Sequence, residues 1–296
     1  KKYDKALFHY MKSIDYSDNL STRVALMELK RILSNKDNTL IGHEERVNSI
    51  ALTGDDKILA SADFNGIIKI WDLEKQKLLK SITTDGYSIN SLKFIDNSTL
   101  IYAGDNKLIK IIDIDKNSII KTLKGHTGNI TSIDWLAKKQ IIASASLDKT
   151  VKIWNIENED PLYNLTNHIE RVNTVRFSYN GNYLATGSKD NNIFIYDTES
   201  FKQVKKFKVH QSGVNDLIFD KTGKYIITAT GSYFGGEDFQ SKLIDINEER
   251  VTKIFNEHYD YVTNLVFFGV GDIFFLSGSS DFTVKAWGGE TEDSLF

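Results

Sequence analysis

Val172-Asn173-Thr174-Val175-Arg176-Phe177 is followed by Ser178-Tyr179-Asn180-Gly181, Leu184-Ala185-Thr186-Gly187, Lys189-Asp190-Asn191-Asn192 and Ile193-Phe194-Ile195-Tyr196. This is a period-two strand with one buried face, a turn, a strand of small residues, a tight polar turn and an apolar strand ending in an aromatic residue. A fourth strand, Phe201 to Phe207, leads on to His210. Working outward, the same unit recurs. A His or its stand-in stands four residues before an apolar-polar-polar-apolar quartet at His43 (Val47-Asn48-Ser49-Ile50), Asp85 (Ile89-Asn90-Ser91-Leu92) and His126 (Ile130-Thr131-Ser132-Ile133). It does so again at His168 (Val172-Asn173-Thr174-Val175), His210 (Val214-Asn215-Asp216-Leu217) and His258 (Val262-Thr263-Asn264-Leu265). The intervals are 42, 41, 42, 42 and 48 residues, and a fixed period of this size marks a repeat architecture. A lone four-stranded sheet cannot bury both of its faces, so the units must stack as blades. The expectation is an all-β propeller over residues 36–296, with repeats starting near 39, 82, 123, 165, 207 and 255.

Gly42-His43, Gly125-His126, Trp71-Asp72, Trp154-Asn155 and Trp287 carry a resemblance to the WD-repeat β-propellers over about residues 39–296. The resemblance implies a buried tetrad of His, Ser or Thr, Asp and Trp in each repeat. His126, Ser144, Asp148 and Trp154 satisfy it, as do His258, Ser277, Asp281 and Trp287. Repeat one has His43, Ser61 and Trp71 but Asn65 at the Asp position, and repeat four has His168, Thr186 and Asp190 but Tyr196 for Trp. Repeat two, with Asp85, Tyr102, Asn106 and Ile112, reads as having lost the set. Repeat five keeps His210, Thr228 and Asp238, ends in Ile244, and carries the insertion Gly231-Ser232-Tyr233-Phe234-Gly235-Gly236. Ser, His and Asp are also the residue types of nucleophilic catalysis. The set recurs in degraded copies with no oxyanion-hole feature, so it reads as structural and the chain as non-enzymatic.

Composition narrows the function classes. Of 296 residues, 41% are hydrophobic and 26% charged, and a net charge of -3 gives no global field to attract nucleic acid or an anionic membrane. With no Cys, there is no disulfide framework, thiolate metal site or cysteine nucleophile, and no cofactor is expected. No apolar run of spanning length and no secretory leader stands in the sequence, which reads as cytoplasmic.

Residues 1–35 differ from the rest. Tyr3, Leu7, Tyr10 or Met11, and Ile14 fall at helical spacing, as do Leu20, Val24 and Met27 with Leu29, Ile32 and Leu33, while Ser17-Asp18-Asn19 interrupts. The expectation is a short α-helical hairpin preceding the propeller. Helices followed directly by Leu40-Ile41-Gly42-His43 resemble the piece that joins the NTPase region to C-terminal WD repeats in bacterial signal-transducing (STAND, NOD-like) NTPases, and also resemble a tetratricopeptide helix. No GxxxxGK[ST] loop is present. The first resemblance implies the sensor or regulatory end of a larger signalling or defence protein, with intramolecular partner domains; a constitutive scaffold or adaptor is the alternative. At the other end, Leu295-Phe296 stands where the last repeat's outer strand would begin. Six repeats are visible, and two closures stay open: a larger propeller, or Thr39-Leu40-Ile41 supplying that strand.

Position along the repeat nominates a face for a protein or peptide partner, built from the turns that hold the His and the Asp. The candidates are Arg46, Phe64, Tyr87, Arg171, Lys189, Tyr233, Phe234, Tyr259 and Tyr261, aromatic and Arg side chains of the kind that dominate interfaces.

Overall fold

The computed structural model describes residues 39–231, 238–268 and 274–288. The expected hairpin at residues 1–35, and Tyr233 and Phe234 of the insertion, lie outside the described residues. Each repeat folds into one antiparallel meander, giving six blades, five of four strands and the last of three among the described residues. Blade one is Val47–Leu52, Ile58–Asp63, Ile67–Asp72 and Lys77–Thr83, paired in chain order. The first strands are the inner ones. Those of successive blades, Val47–Leu52, Ile89–Phe94, Ile130–Leu136, Val172–Phe177, Val214–Phe219 and Val262–Phe268, lie side by side from blade one through blade six. The fourth strands form the rim, where Lys77–Thr83 and Ser118–Lys124 each bury one residue, Ile82 or Leu123, and turn charged and aliphatic residues to solvent. Lysines on such edges discourage pairing with another chain.

Among the described residues five apolar cores join the blades. Ala51, Ala60 and Ile70 of blade one pack on Leu92, Leu100 and Ile112 of blade two, and Ile101, Ile109 and Leu123 of blade two on Ile133, Ile142 and Trp154 of blade three. Blades three and four, four and five, and five and six share cores of the same kind. The second strand carries small residues because the next blade's first strand presses on it. A Cβ on Gly187 would come within 2.6 Å of Val214 Cγ1, so no larger residue fits there without displacement.

The two polar residues inside each quartet also act between blades. The pairing of first and second strands shifts register between Val47 and Ser49, Ile89 and Ser91, Val172 and Thr174, and Val214 and Asp216, so the residue between is bulged out of the ladder. A bulge re-aims its side chain, and here it reaches the next blade. Asn90 Nδ2 donates to the Ile130 carbonyl at 2.9 Å, Thr131 Oγ1 to Val172 at 2.7 Å, Asn173 Nδ2 to Val214 at 2.8 Å and Asn215 Nδ2 to Val262 at 2.9 Å. The residue after the bulge accepts in return. Leu92 N–H donates to Ser49 Oγ at 3.0 Å, Ile133 N–H to Ser91 Oγ at 3.1 Å and Leu265 N–H to Asp216 Oδ2 at 3.1 Å. Ion pairs extend the belt. Lys93 Nζ lies 3.0 Å from Asp134 Oδ1, and Arg176 donates to Ser132 Oγ at 2.9 Å and to Asp216 Oδ1 at 3.1 Å.

The last junction is different. Among the described residues Thr263 Oγ1 donates to Gly278 O of its own sheet at 3.2 Å and to no neighbouring blade. Among the described residues the first strand of blade six does not pack on blade one as the other neighbours pack. Thr39-Leu40-Ile41 forms no strand, which corrects the closure in which it would complete the sixth sheet; Leu40 instead packs on Ile50, Leu59 and Trp71.

Removing an inter-blade staple leaves a buried carbonyl without its donor. We expect Asn173→Ala to cost about 1–2 kcal/mol in denaturant unfolding and Thr263→Ala less than about 0.5 kcal/mol. Equal losses would mean that the bulged residue acts within its own sheet.

Candidate functional site

The turn entering each blade and the turn between its second and third strands meet at one end. His126, at the first turn, lies between two partners: its Nδ1 is 2.8 Å from Asp148 Oδ2 and its Nε2 is 2.7 Å from Ser144 Oγ. Trp154 Nε1–H donates to the same hydroxyl at 2.8 Å, and the Thr127 amide to Asp148 at 2.9 Å. Blade six repeats the arrangement with His258, Asp281, Ser277 and Trp287 at 2.7 to 2.8 Å. In blades four and five, His168 and His210 hold Thr186 and Thr228 at 2.8 and 2.6 Å, and Asp190 and Asp238 at 2.9 and 3.2 Å. Where blade four lacks Trp, the Tyr196 hydroxyl donates to Asn167 Oδ1 at 3.1 Å, and the edge of Phe194 meets the His168 ring at 4.6 Å between centroids.

Two blades correct the sequence reading. In blade one the carboxylate is Asp63, at the end of the second strand, and Asn65 does not take part through its side chain. Asp63 Oδ2 lies 2.7 Å from His43 Nδ1, while its Oδ1 accepts the amides of Asn65 and Ile67 at 3.0 and 2.9 Å. A carboxylate two residues early reaches the same imidazole because its other oxygen closes the turn. Blade two has replaced the set rather than lost it. Asp85, in the His position, accepts from Lys110 Nζ and Asn106 Nδ2, each at 2.9 Å, and the ammonium lies 6.0 Å from the centre of the Tyr102 ring. Lys110, on the third strand, was missed because lysine stands at the same place in Lys69, Lys152, Lys242 and Lys285, and only the loss of the His in blade two turns it into the partner of Asp85.

Burial holds His43, His168, His210 and His258 below their ordinary value, outweighing the aspartate beside each. A neutral ring closes the chain of bonds without remainder: Nδ1–H donates to the carboxylate, and Nε2 accepts the hydroxyl hydrogen of Ser or Thr. Burial pushes the Asp238 and Asp281 carboxyls up, but their hydrogen bonds from His, backbone amides and, at Asp281, Thr283 more than offset it and hold both at about 2. The Ser-His-Asp order imitates a hydrolase triad, yet Ser144 and Ser277 are wholly buried and already accept an indole N–H. No substrate carbonyl can approach either oxygen. Among the described residues no group of three His, Asp or Glu is placed to hold a metal ion.

The described residues among those nominated for a partner share this end. The amide of Phe64 donates to Arg46 O, of Lys189 to Arg171 O and of Ser280 to Tyr261 O, each at 3.0 Å. The guanidinium of Arg46 sits 5.8 Å from the Phe64 ring centre. Neighbouring blades also meet here, with Gly66 against the Tyr87 backbone, Lys189 against Gly213 and Gly231 against Tyr261. Arg46, Phe64, Tyr87, Arg171 and Tyr259 are exposed, whereas Lys189 and Tyr261 are half-buried and serve partly as blade-to-blade packing. Phe282, 79% exposed, was missed, although it follows the tetrad residue Asp281 directly. Its φ of 67° occupies the left-handed region that Gly66, Lys107, Lys149 and Asn191 take at the same turn.

The family model described as WD domain, G-beta repeat matches residues 34–72, 76–113, 117–155, 159–197, 201–243 and 249–288. No curated protein matches the chain.

Two measurements check the site. Asp63→Asn is expected to cost about 1–3 kcal/mol and Asn65→Ala less than about 0.5 kcal/mol in equilibrium unfolding; the reverse order would restore Asn65 to the tetrad. Acidification gives the second. The four depressed histidines make the unfolded chain the better proton binder below its ordinary value of 6.5, so stability is complete above that pH and falls as pH drops. Asp238 and Asp281 carry the same sign from the ordinary 3.8 down to about 2. Thermal unfolding should show a Tm that is level above pH 7 and falls steadily from about pH 6.5; a Tm rising between pH 6.5 and 5 would contradict the neutral-histidine assignment.

Proposed function

The chain belongs to the WD domain, G-beta repeat family, and on that premise we propose that it is a non-catalytic recognition module that takes a protein or peptide on the turn end of the propeller. One observation carries this reading. Among the described residues, the large apolar side chains exposed in turns are unevenly shared between the two ends. Phe64, Tyr87, Leu147, Ile169, Tyr259 and Phe282 stand at the His and Asp turns, against Leu162 and Tyr179 at the opposite turns. Exposed aromatics beside Arg46 and Arg171 are the composition of interaction hot spots.

Blade six is the strongest part of that surface. Tyr259 is 86% exposed, and its amide donates to Asp281 Oδ2 at 3.1 Å, which places it beside Phe282. An aromatic residue in the left-handed region costs about 1–2 kcal/mol, and the exposed Phe282 ring recovers little of that through packing within the blade. Lys107, Lys149 and Asn191 take the same conformation at the equivalent turns, so the turn sets the backbone, and what distinguishes position 282 is the exposed ring. Nucleic acid is not the partner we favour: of the lysines at 202–208, Lys205 pairs with Glu249 and Lys206 lies 5.3 Å from the Phe194 ring centre.

The finer reading, the sensor or regulatory end of a larger signalling or defence protein with partner domains in the same chain, rests on the resemblance of residues 1–35 to the helices of STAND-type NTPases. The face residues Arg46, Phe64, Tyr87, Arg171, Lys189, Tyr259 and Tyr261, with Tyr233 and Phe234 of the insertion, are its docking residues. We expect Tyr259→Ala with Phe282→Ala to weaken capture of the protein partner by at least about tenfold while Tm is unchanged, and Tyr233→Ala with Phe234→Ala to act in the same direction. Tyr179→Ala, at the opposite end, should leave capture intact. Loss of capture only in variants with lowered Tm, or an equal loss with Tyr179→Ala, would refute the assignment of the face.

A further inference from the structure

The outer strands have a charge pattern that the chain as a whole does not share. Lys77–Thr83, Ser118–Lys124, Gln203–Phe207 and Arg250–Phe255 each have two cations, Tyr163–Leu165 has none, and no Asp or Glu stands in any of the five. The whole chain has a net charge of -3. Lysine alone would only blunt a sheet edge. The four cationic strands also shift register against their neighbours, and the shift bulges out one residue in each: Leu79, Ile120, Val204 or Thr252. A bulge interrupts the alternation of faces, so the residue before it stands in solvent too. In blade one Leu78 is exposed beside Leu79, and in blade two Ile119 beside Ile120; Leu79, Ile119 and Ile120 are each more than half exposed. Blade four has Gln203 beside Val204, and blade five has Thr252 at its bulge. Among the cationic strands, the exposed aliphatic pair is therefore particular to blades one and two.

The two rims are joined. Lys80 Nζ donates to Ile114 O at 2.6 Å and to Asp115 O at 2.9 Å, so the outer strand of blade one reaches the turn from which that of blade two sets out. Lys121 Nζ in turn donates to Glu157 O at 2.6 Å. Both ammonium groups end on carbonyl oxygens, which carry no net charge, whereas Lys205 of blade four pairs with Glu249 and Arg250 of blade five with Glu248. Single exposed aliphatics need no explanation, but paired ones on adjacent rims in a cationic frame mark an interaction surface. We propose that the rim of blades one and two is a docking surface separate from the turn end, and that it takes an acidic protein segment in which paired aliphatic residues are flanked by Asp or Glu. The order Lys77-Leu78-Leu79-Lys80 sets the complement, an aliphatic pair with a carboxylate on either side. Contact between the aliphatics removes water and strengthens the ion pairs beside them. The bulges prevent the segment from continuing either sheet as a regular fifth strand, so recognition is by side chains. The same rim of a second copy does not fit, because cations would face cations.

Fluorescence anisotropy on the full chain tests this with a labelled peptide repeating Glu-Leu-Leu-Glu against one repeating Lys-Leu-Leu-Lys. The acidic peptide should bind and the basic one should not. Leu79→Ser with Ile120→Ser should weaken binding at least about tenfold with Tm unchanged, and Lys77→Glu with Lys124→Glu should do the same. Val204→Ser, at the corresponding bulge of blade four, should leave binding intact. So should Tyr259→Ala with Phe282→Ala, which lets the rim and the turn end stand or fall separately. No binding of the acidic peptide, equal binding of both peptides, binding that survives Leu79→Ser with Ile120→Ser, or an equal loss with Val204→Ser would overturn the proposal. Binding to phosphatidylserine vesicles that the acidic peptide does not compete for would assign the rim to an anionic membrane and overturn it too. Self-association abolished by Leu79→Ser with Ile120→Ser would assign it to a second copy, with the same consequence.

Discussion

A four-stranded sheet that is apolar on both faces is stable only between two neighbours, and the remaining features of this molecule answer that constraint. The small residues of each second strand let the next blade approach. The bulge at the start of each inner strand turns a polar side chain out of its own ladder and into the neighbour's. The Ser or Asp that follows accepts the neighbour's amide, and Thr174 instead donates to Asp216, so each junction from blade two to blade six has an apolar core and a polar seam. Burial of the core makes the seam matter, because a carbonyl left unpaired there would be cut off from water.

The same economy governs the polar chains at the turn end. A neutral imidazole donates once and accepts once, and here it links a carboxylate that also closes a turn to a hydroxyl that also takes an indole N–H. Blade one reaches this outcome with Asp63 in place of the usual position. Blade two reaches it with Lys110, Asn106 and Asp85, an ion pair standing in for a histidine. What the fold requires at this place is satisfied polar groups under a packed edge, and more than one residue set supplies them. The same requirement occupies the groups a triad of Ser, His and Asp would use: both nitrogens of His126 are bonded, and Ser144 already accepts the Trp154 indole N–H.

The recognition face proposed here uses what the turn end leaves over. With the polar groups beneath them satisfied, the turns can hold aromatic side chains outward on a rigid base, and Phe282 is held so at the expense of a left-handed backbone. Rigid aromatic anchors lose little entropy on binding, which suits them to a docking face.

The repeat period, the strand order within a blade, the blade type and the buried role of His126, Ser144, Asp148 and Trp154 were all legible in the sequence. They depend on spacing along the chain, and spacing survives without coordinates. The function of the polar pair inside each quartet was not legible, because Asn173 and Val214 are 41 residues apart and meet only when two sheets are stacked. Asp63 was missed for a related reason: which carboxylate reaches an imidazole depends on the path of a turn, and counting residues assumes one path. Position in the repeat placed the described face residues at one end of the blade, but only packing separated the exposed Tyr259 from the half-buried Tyr261. Local pattern determined what each blade is; the contacts between blades, which join residues about forty positions apart, decided what each polar side chain does.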